Sequence, residues 1–246
     1  MLKCVKFRYY FIGFEMKIKY FLQLIILFLS FFVFILPCTA EEATVDDAHN
    51  YGLSVDEAQD WAESKGQEIL DILTGDSEDK FTKLDEIADN DVDLKHAARF
   101  VIGKYWKQMS EEQKQKYLSL FNRYSKSLYK SYSPNIQKGE ITFSVDKAVM
   151  TKIGVAVYCT VKIKKVEEKV DEASKGGVKV IFSLVKYDGK IKVRDLKIEE
   201  SSFLQAYRER FYKMIHEDSE DDIDWFLEDL EAIVRDNENK FEEADN

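Results

Sequence analysis

Between Val178 and Phe211 the apolar pattern changes period in mid-course, and few folds accommodate that. Val178, Val180, Phe182 and Leu184 lie two apart before Asp188-Gly189, and Ile191 and Val193 resume the same spacing after it. Period 2 on both sides of an Asp-Gly pair describes a β-hairpin with a two-residue turn. From Ser202 onward Leu204, Tyr207, Phe211 and Met214/Ile215 fall three and four residues apart, which is one face of a helix. A hairpin that runs straight into an amphipathic helix must set that helix against an antiparallel sheet.

The rest of the chain supplies both layers. Ile141 to Val145 alternates, and Ile153, Val155, Val157, Cys159, Val161 and Ile163 form a long half-buried strand. Lys164 to Gly177 is charged and reads as an extended hairpin loop, which brings the sheet to four antiparallel strands. Ahead of the sheet, Ser54 caps a helix over Val55–Leu73, with Glu57 at the capping-box position and Ala62, Gly66, Ile69 and Leu73 on its apolar face. A short helix follows near Lys80–Ala88, then one over Asp93–Met109 that repeats Ala98, Val101/Ile102, Tyr105 and Met109. Ser110-Glu-Glu-Gln113 is a second capping box, and the helix it opens carries Tyr117, Phe121, Tyr124, Leu128 and Tyr132 on one face. A last helix buries Ile223, Phe226/Leu227, Leu230 and Ile233/Val234, and residues 237–246 form an acidic tail that is expected to be disordered. Helices, a meander of strands and helices again give an α+β fold in which N- and C-terminal helices cover a curved four-stranded sheet.

The first forty residues do not belong to that body. Tyr20 to Leu36 is an apolar run preceded by Lys17 and Lys19 and followed by Pro-Cys-Thr-Ala40. A basic start, an apolar core and a small-residue exit describe a secretory signal cleaved after Ala40, with Met16 as an alternative start. Two other readings stay open: an uncleaved anchor, since about 20 residues span a bilayer, and lipidation at Cys38, which Pro37 disfavours. Residues 41–54 are then a flexible lead-in, and 55–236 the folded domain. The chain carries a net charge of −10, and the first forty residues hold five basic side chains against one acidic, so the remainder is more acidic still. Such a surface repels nucleic acid and anionic headgroups. Beyond the signal only Cys159 remains, so the domain is held by its core and not by disulfides.

Catalytic constellations are missing from the sequence. His49, His96 and His216 are scattered, and no HExxH, CxxC, G-x-S-x-G or phosphate-loop pattern occurs. No catalytic residue, metal ligand or cofactor site is assigned. Asp195 follows Ile191 and Val193 at even spacing, which puts a carboxylate on an apolar strand face and calls for a partner. Arg208 or Tyr207 is placed to supply one, giving a structural polar pair of Asp195 with Arg208.

Several stretches resemble one family. Gly103-Lys-Tyr105-Trp106 near a helix end, Ser110 to Gln113 followed by Phe121 and Tyr132, and Asp195, Ser202, Tyr207, Arg208 and Phe211 in unbroken register are similar to the Mla-type periplasmic phospholipid-binding proteins, also called the toluene-tolerance auxiliary component family. The resemblance covers roughly residues 60–235. The chain departs from it at Ile191, where the family has Trp, and at Glu200, where it has Gly before its Ser. The resemblance implies a cystatin/NTF2-like sheet whose helices enclose an apolar cavity. It also implies a non-enzymatic, monomeric carrier that moves diacyl lipid through the periplasm. The implied partners are an inner-membrane ABC transporter with an MCE-domain ring and an outer-membrane lipoprotein complex. About 30 methylenes at ~0.8 kcal/mol each make ~25 kcal/mol of exposed tail, so a soluble carrier must enclose both chains. The pocket is expected on the sheet face of Val180, Phe182, Leu184, Ile191 and Val193, closed by Ile102, Tyr105 and Trp106 and by Leu204, Tyr207 and Phe211. The competing readings are an enzyme on an NTF2-like cone, with a polar group at the cavity floor, and a periplasmic adaptor with a solid core. On the signal reading, N-terminal sequencing of the exported protein returns Glu41 as first residue. Retention of residues 20–36 would instead identify an anchor.

Overall fold

The computed structural model describes residues 52–75, 77–132, 141–163 and 177–244. The signal, the lead-in as far as residue 51, the loop 164–176 and the Tyr132 side chain lie outside the described residues. Helix α1 is Val55–Thr74, α2 Lys80–Asp91, α3 Leu94–Ile102 and α4 Glu111–Tyr132, with a 3-10 turn at Gly103–Lys107. Strands β1 Ile141–Met150, β2 Val155–Ile163, β3 Val178–Tyr187, β4 Lys190–Ile198 and β5 Ser201–Ser202 follow. Helix α5 is Phe203–Lys213, a π turn covers Met214–Asp218, and α6 is Ile223–Ala244. The sheet is an antiparallel meander in the order β1-β2-β3-β4-β5. The fifth strand, absent from the sequence reading, is only the pairing of Ser201 and Ser202 with Ile198 and Lys197.

The local rules account for most boundaries. Asp188 and Gly189 both adopt positive φ (49° and 76°), the mirror-image turn whose twist matches paired strands. Ser54 Oγ accepts from Glu57 N at 3.1 Å. Glu57 Oε1, however, accepts from Lys186 at 2.6 Å, so the carboxylate ties α1 to β3. The second capping box closes both ways: Ser110 Oγ accepts from Gln113 N, and Gln113 Oε1 from Ser110 N.

Three expectations are corrected. The helix over Asp93–Met109 breaks at Gly103, whose φ of 50° and ψ of −120° only glycine tolerates well. A Cβ there would lie 2.1 Å from the Tyr212 hydroxyl, which accepts from Lys104 N at 3.0 Å. Ile153 lies outside β2 and is 45% exposed. The acidic stretch from Asn237 is helical as far as Ala244. Asn237 donates to Ser127, and the Arg123 guanidinium grips Glu238 through Nε at 3.1 Å and Nη2 at 2.6 Å. A planar fork on a carboxylate ties the end of α6 to α4.

Two cores result. One is helical: α3, α4, α5, the π turn and α6 surround Phe211, whose ring lies 5.5–6.4 Å from those of Tyr124, Phe226, Phe121 and Tyr117. The other joins one sheet face to Leu53, Ala58 and Ala62 at the start of the fold. Gly103→Ala is expected to cost at least about 1–3 kcal/mol from backbone strain, before any displacement of Tyr212. It would appear as a lower urea midpoint with unchanged m. A wild-type midpoint would mean that the break does not depend on glycine.

Candidate functional site

A sheet face stays apolar only if its residues keep phase, and two bulges maintain it here. Val145 pairs with Cys159 and Lys147 with Tyr158, so Asp146 is the extra residue in β1. Ser183 pairs with Asp195 and Leu184 with Val193, so Arg194 is the extra residue in β4. Each bulge steps the inward positions by three instead of two. Val145 and Ala148 thereby share one face with Val155, Val157 and Cys159, and Val193 and Leu196 share it with Leu184 and Phe182.

The second bulge overturns the placement of Asp195. Even spacing from Ile191 and Val193 put it on the apolar face; the extra residue at Arg194 moves it to the opposite one, in register with Ser183. Its Oδ1 accepts from Leu196 N in β4 at 2.9 Å and from Leu204 N at 3.3 Å, so the carboxylate takes one of the free N–H groups at the start of α5, beside Ser202 Oγ, which takes that of Gln205. Arg208 is engaged elsewhere. Its Nη2 lies 3.2 Å from the Tyr212 hydroxyl and its guanidinium stacks over Phe100, so the Asp195–Arg208 pair gives way to separate partners. Arg194 Nη2 reaches His96 Nδ1 at 3.2 Å. Burial, and then the Arg194 charge, hold the His96 imidazole below its ordinary pKa, so it is neutral and accepts that bond.

The eleven residues expected to line a pocket fall into two groups. Val180, Leu184 and Ile191 are buried in the sheet core, with half-buried Phe182 and Val193 packed against it. Ile102, Tyr105 and Phe211 are buried in the helical core, with half-buried Trp106, Leu204 and Tyr207 packed on it. The expected closure of the first group by the second does not form. Ile102 and Phe211 expose 0% of their surface, and a wall facing a chamber wide enough for water would expose some. What covers the sheet face is α1, through Ala58, Ala62 and Trp61, with Leu53 just before it. A Cβ on Gly66 would lie 2.2 Å from the Phe143 ring, so that glycine lets the helix backbone rest on the aromatic. The Ala62–Gly66 stripe and the alternation that carries Phe143 are legible in the sequence; Leu53 and Trp61 were missed as sheet-face contacts because neither belongs to a long periodic run.

Helix α1 is a thin cover. Only Ala58 and Ala62 of its residues are buried, and α2 buries none. Between the two helices lies a cleft of about 930 Å³ with Lys65, Glu68 and Asp71 on one wall, Lys83, Glu86 and Asp91 on the other, and Ile72 and Ile87 among them. Lys65 bridges it, 2.5 Å from Glu68 and 2.9 Å from Asp91. These charges make a polar mouth and not an acyl-chain wall. Cys159 sits in the sheet core, where burial pushes its thiol up to about 12, so it is neither a nucleophile nor a ligand at neutral pH. Among the described residues no group of three or more His, Cys, Asp and Glu side chains is placed to hold a metal ion.

The family model for the MlaC protein matches residues 64–232, most of the chain. No curated protein matches. Among solved structures, the phospholipid-binding protein of Ralstonia solanacearum, in complex with a phospholipid, is similar with a TM-score of 0.58 and 18% identity. The likeness covers 73% of this chain and 98% of that one, and at that identity it speaks to the fold. The placement of Phe211 carries an expected outcome. Phe211→Ala should lower the unfolding free energy by about 3–5 kcal/mol, as for a fully buried aromatic. Phe182→Ala, half-buried on the sheet face, should cost clearly less. Equal costs by denaturant titration would contradict the division into two cores.

Proposed function

The chain belongs to the MlaC family, and from that membership we infer that it is a phospholipid-binding carrier. It is exported by its first forty residues and shuttles diacyl lipid through the periplasm. Its exchange partners would be an inner-membrane ABC transporter with an MCE-domain ring and an outer-membrane lipoprotein complex. The observation that carries the reading is the family match over 64–232, joined to an apolar sheet face with little more than two alanines and a tryptophan laid over it.

The binding site proper is assigned to that face. Val180, Phe182, Leu184, Ile191 and Val193, with Phe143 and Leu196, present aliphatic and aromatic surface in one layer. Two acyl chains lie there once α1 and α2 move off the sheet. Magnitudes favour the exchange. Enclosing two tails is worth ~25 kcal/mol relative to leaving them in water. The contacts given up are those of Leu53, Ala58, Trp61 and Ala62, the bonds of Asp93 N to the Val193 carbonyl and of Lys192 to the Asn90 carbonyl, and the partly exposed Glu57–Lys186 ion pair, worth about 0–1 kcal/mol. The charged cleft between α1 and α2 then becomes the rim, where a headgroup meets water. The helical core around Phe211 stays shut and acts as the rigid side of the carrier.

The carrier reading asks for no catalysis, and Asp195, the carboxylate singled out in the sequence, is bonded to an N–H group at the start of α5. Lipid extraction and mass spectrometry of the purified protein should return phospholipid at about one molecule per chain. A phospholipid with a photoactivatable acyl tail should label peptides within Val178–Tyr187 and Lys190–Ile198. Purified protein that carries no lipid and takes none up after delipidation would end the carrier reading. Labelling confined to α3, α4 and α5 would keep the reading and move the site.

A further inference from the structure

Three consecutive residues of β4 hold the joint where α2 ends and α3 begins. Lys192 Nζ donates to the Asn90 carbonyl, and the Val193 carbonyl accepts from Asp93 N at 2.9 Å. Arg194 Nη2 donates to His96 Nδ1 at 3.2 Å. Val92 and Val193 also pair as a short parallel bridge. Helix α2 buries none of its own residues, so bonds more than packing fasten it. It is tied elsewhere by ion pairs, Lys126–Asp89 and Lys130–Asp85 to α4 and Lys65–Asp91 to α1.

One of these bonds depends on a proton that titrates near neutrality. A guanidinium only donates, so His96 must accept through a bare Nδ1. An imidazolium has two N–H groups and no acceptor, and protonation would turn the bond into a contact between two cations. Arg194 has little else to turn to. It is the extra residue of its bulge, and its Nε is already buried without a partner among the described residues. The charges that face His96 are Arg194 and Asp195 from β4 and Asp93 and Arg99 from the start and end of its own helix. Arg208 of α5 stands over the Phe100 ring, next to that of His96. Both carboxylates already accept backbone bonds, Asp93 from His96 N and Asp195 from Leu196 N and Leu204 N. Burial and the Arg194 charge outweigh them and keep the ring neutral.

The geometry points to the His96–Arg194 bond as a proton-operated fastening that regulates how readily α2 leaves β4, closed at neutral pH and released by acid. The inference rests on the carrier reading, in which α1 and α2 move off the sheet, and adds the condition under which they do so. In the closed joint the ring is held below its ordinary pKa. Once the joint opens, the ring meets water and regains the ordinary value of about 6.5. The closed form therefore loses stability relative to the open one as pH falls below about 6.5, and the loss stops growing below the closed-state value. Backbone bonds and lysine–carboxylate pairs carry no such dependence between pH 7.5 and about 5.5.

Hydrogen exchange of the full chain without added lipid, corrected for intrinsic rates, tests the fastening at about pH 7.5 and about pH 5.5. Peptides spanning residues 90–96 should open about tenfold or more in acid, the factor for one lost bond to a charged group. His96→Gln keeps an acceptor for Arg194 at every pH and should hold the protection constant. His216→Gln, at an exposed histidine on the π turn, should leave the parent's pH dependence in place. Arg194→Gln removes the opposing charge and should shrink the dependence, which keeps the test decisive if His96→Gln does not fold. A joint equally protected at both pH values overturns the inference, as does a His96→Gln or Arg194→Gln chain that loosens in acid as much as the parent. The same chains are then offered vesicles containing phosphatidylethanolamine with a fluorescent acyl tail. Uptake that quickens in acid for the parent and not for His96→Gln supports the regulation; uptake at one rate at both pH values overturns it. No uptake at either pH sinks the carrier reading alone, and the exchange data still decide whether the fastening exists.

Discussion

Phase along the strands is the constraint on which the rest depends. A strand turns alternate side chains to opposite faces, so a sheet can keep one face apolar only while every strand stays in step. Two strands here fall out of step, and each is restored by one extra charged residue, Asp146 in β1 and Arg194 in β4. The extra residues also find polar partners. Asp146 accepts from Thr160 at 2.6 Å and Lys179 at 3.1 Å, and Arg194 meets His96. The bulges thus do two things at once: they keep Phe143, Val145, Phe182, Leu184, Val193 and Leu196 in one apolar layer, and they spend charged side chains on the other face.

Much of this was legible in the sequence, and the failures have identifiable causes. The Asp188-Gly189 turn, the Ser110–Gln113 box and the Tyr117, Phe121, Tyr124 stripe are local signals, and local geometry satisfied them. Asp195 was misplaced because counting by twos takes no account of a bulge. The break at Gly103 was hidden because Tyr105 and Met109 continue the helical spacing across it; the reason for glycine there is the Tyr212 hydroxyl, more than a hundred residues away. The stretch from Asn237 looks like a solvated acidic tail, and it is held by Arg123, a partner on another helix.

The expected closure of the sheet face by Ile102, Tyr105, Trp106, Leu204, Tyr207 and Phe211 failed for a more general reason. Apolar spacing identifies which side chains leave water, not whether they meet one another or a ligand. Phe211 and Phe182 are equivalent on that criterion. In the fold one is fully enclosed by four aromatic rings and the other is half-buried beneath a helix that contributes alanines. Tertiary packing decides which apolar side chains are fully enclosed, and it leaves the sheet face under a lighter cover than Phe211.

Two separate clusters also bear on how such a protein can change over generations. Substitutions on the sheet face or on the first helix that covers it leave the aromatic knot around Phe211 untouched, because the two clusters share no buried member. The architecture therefore lets the covered sheet face drift on one side, while inherited foldability is guarded on the other.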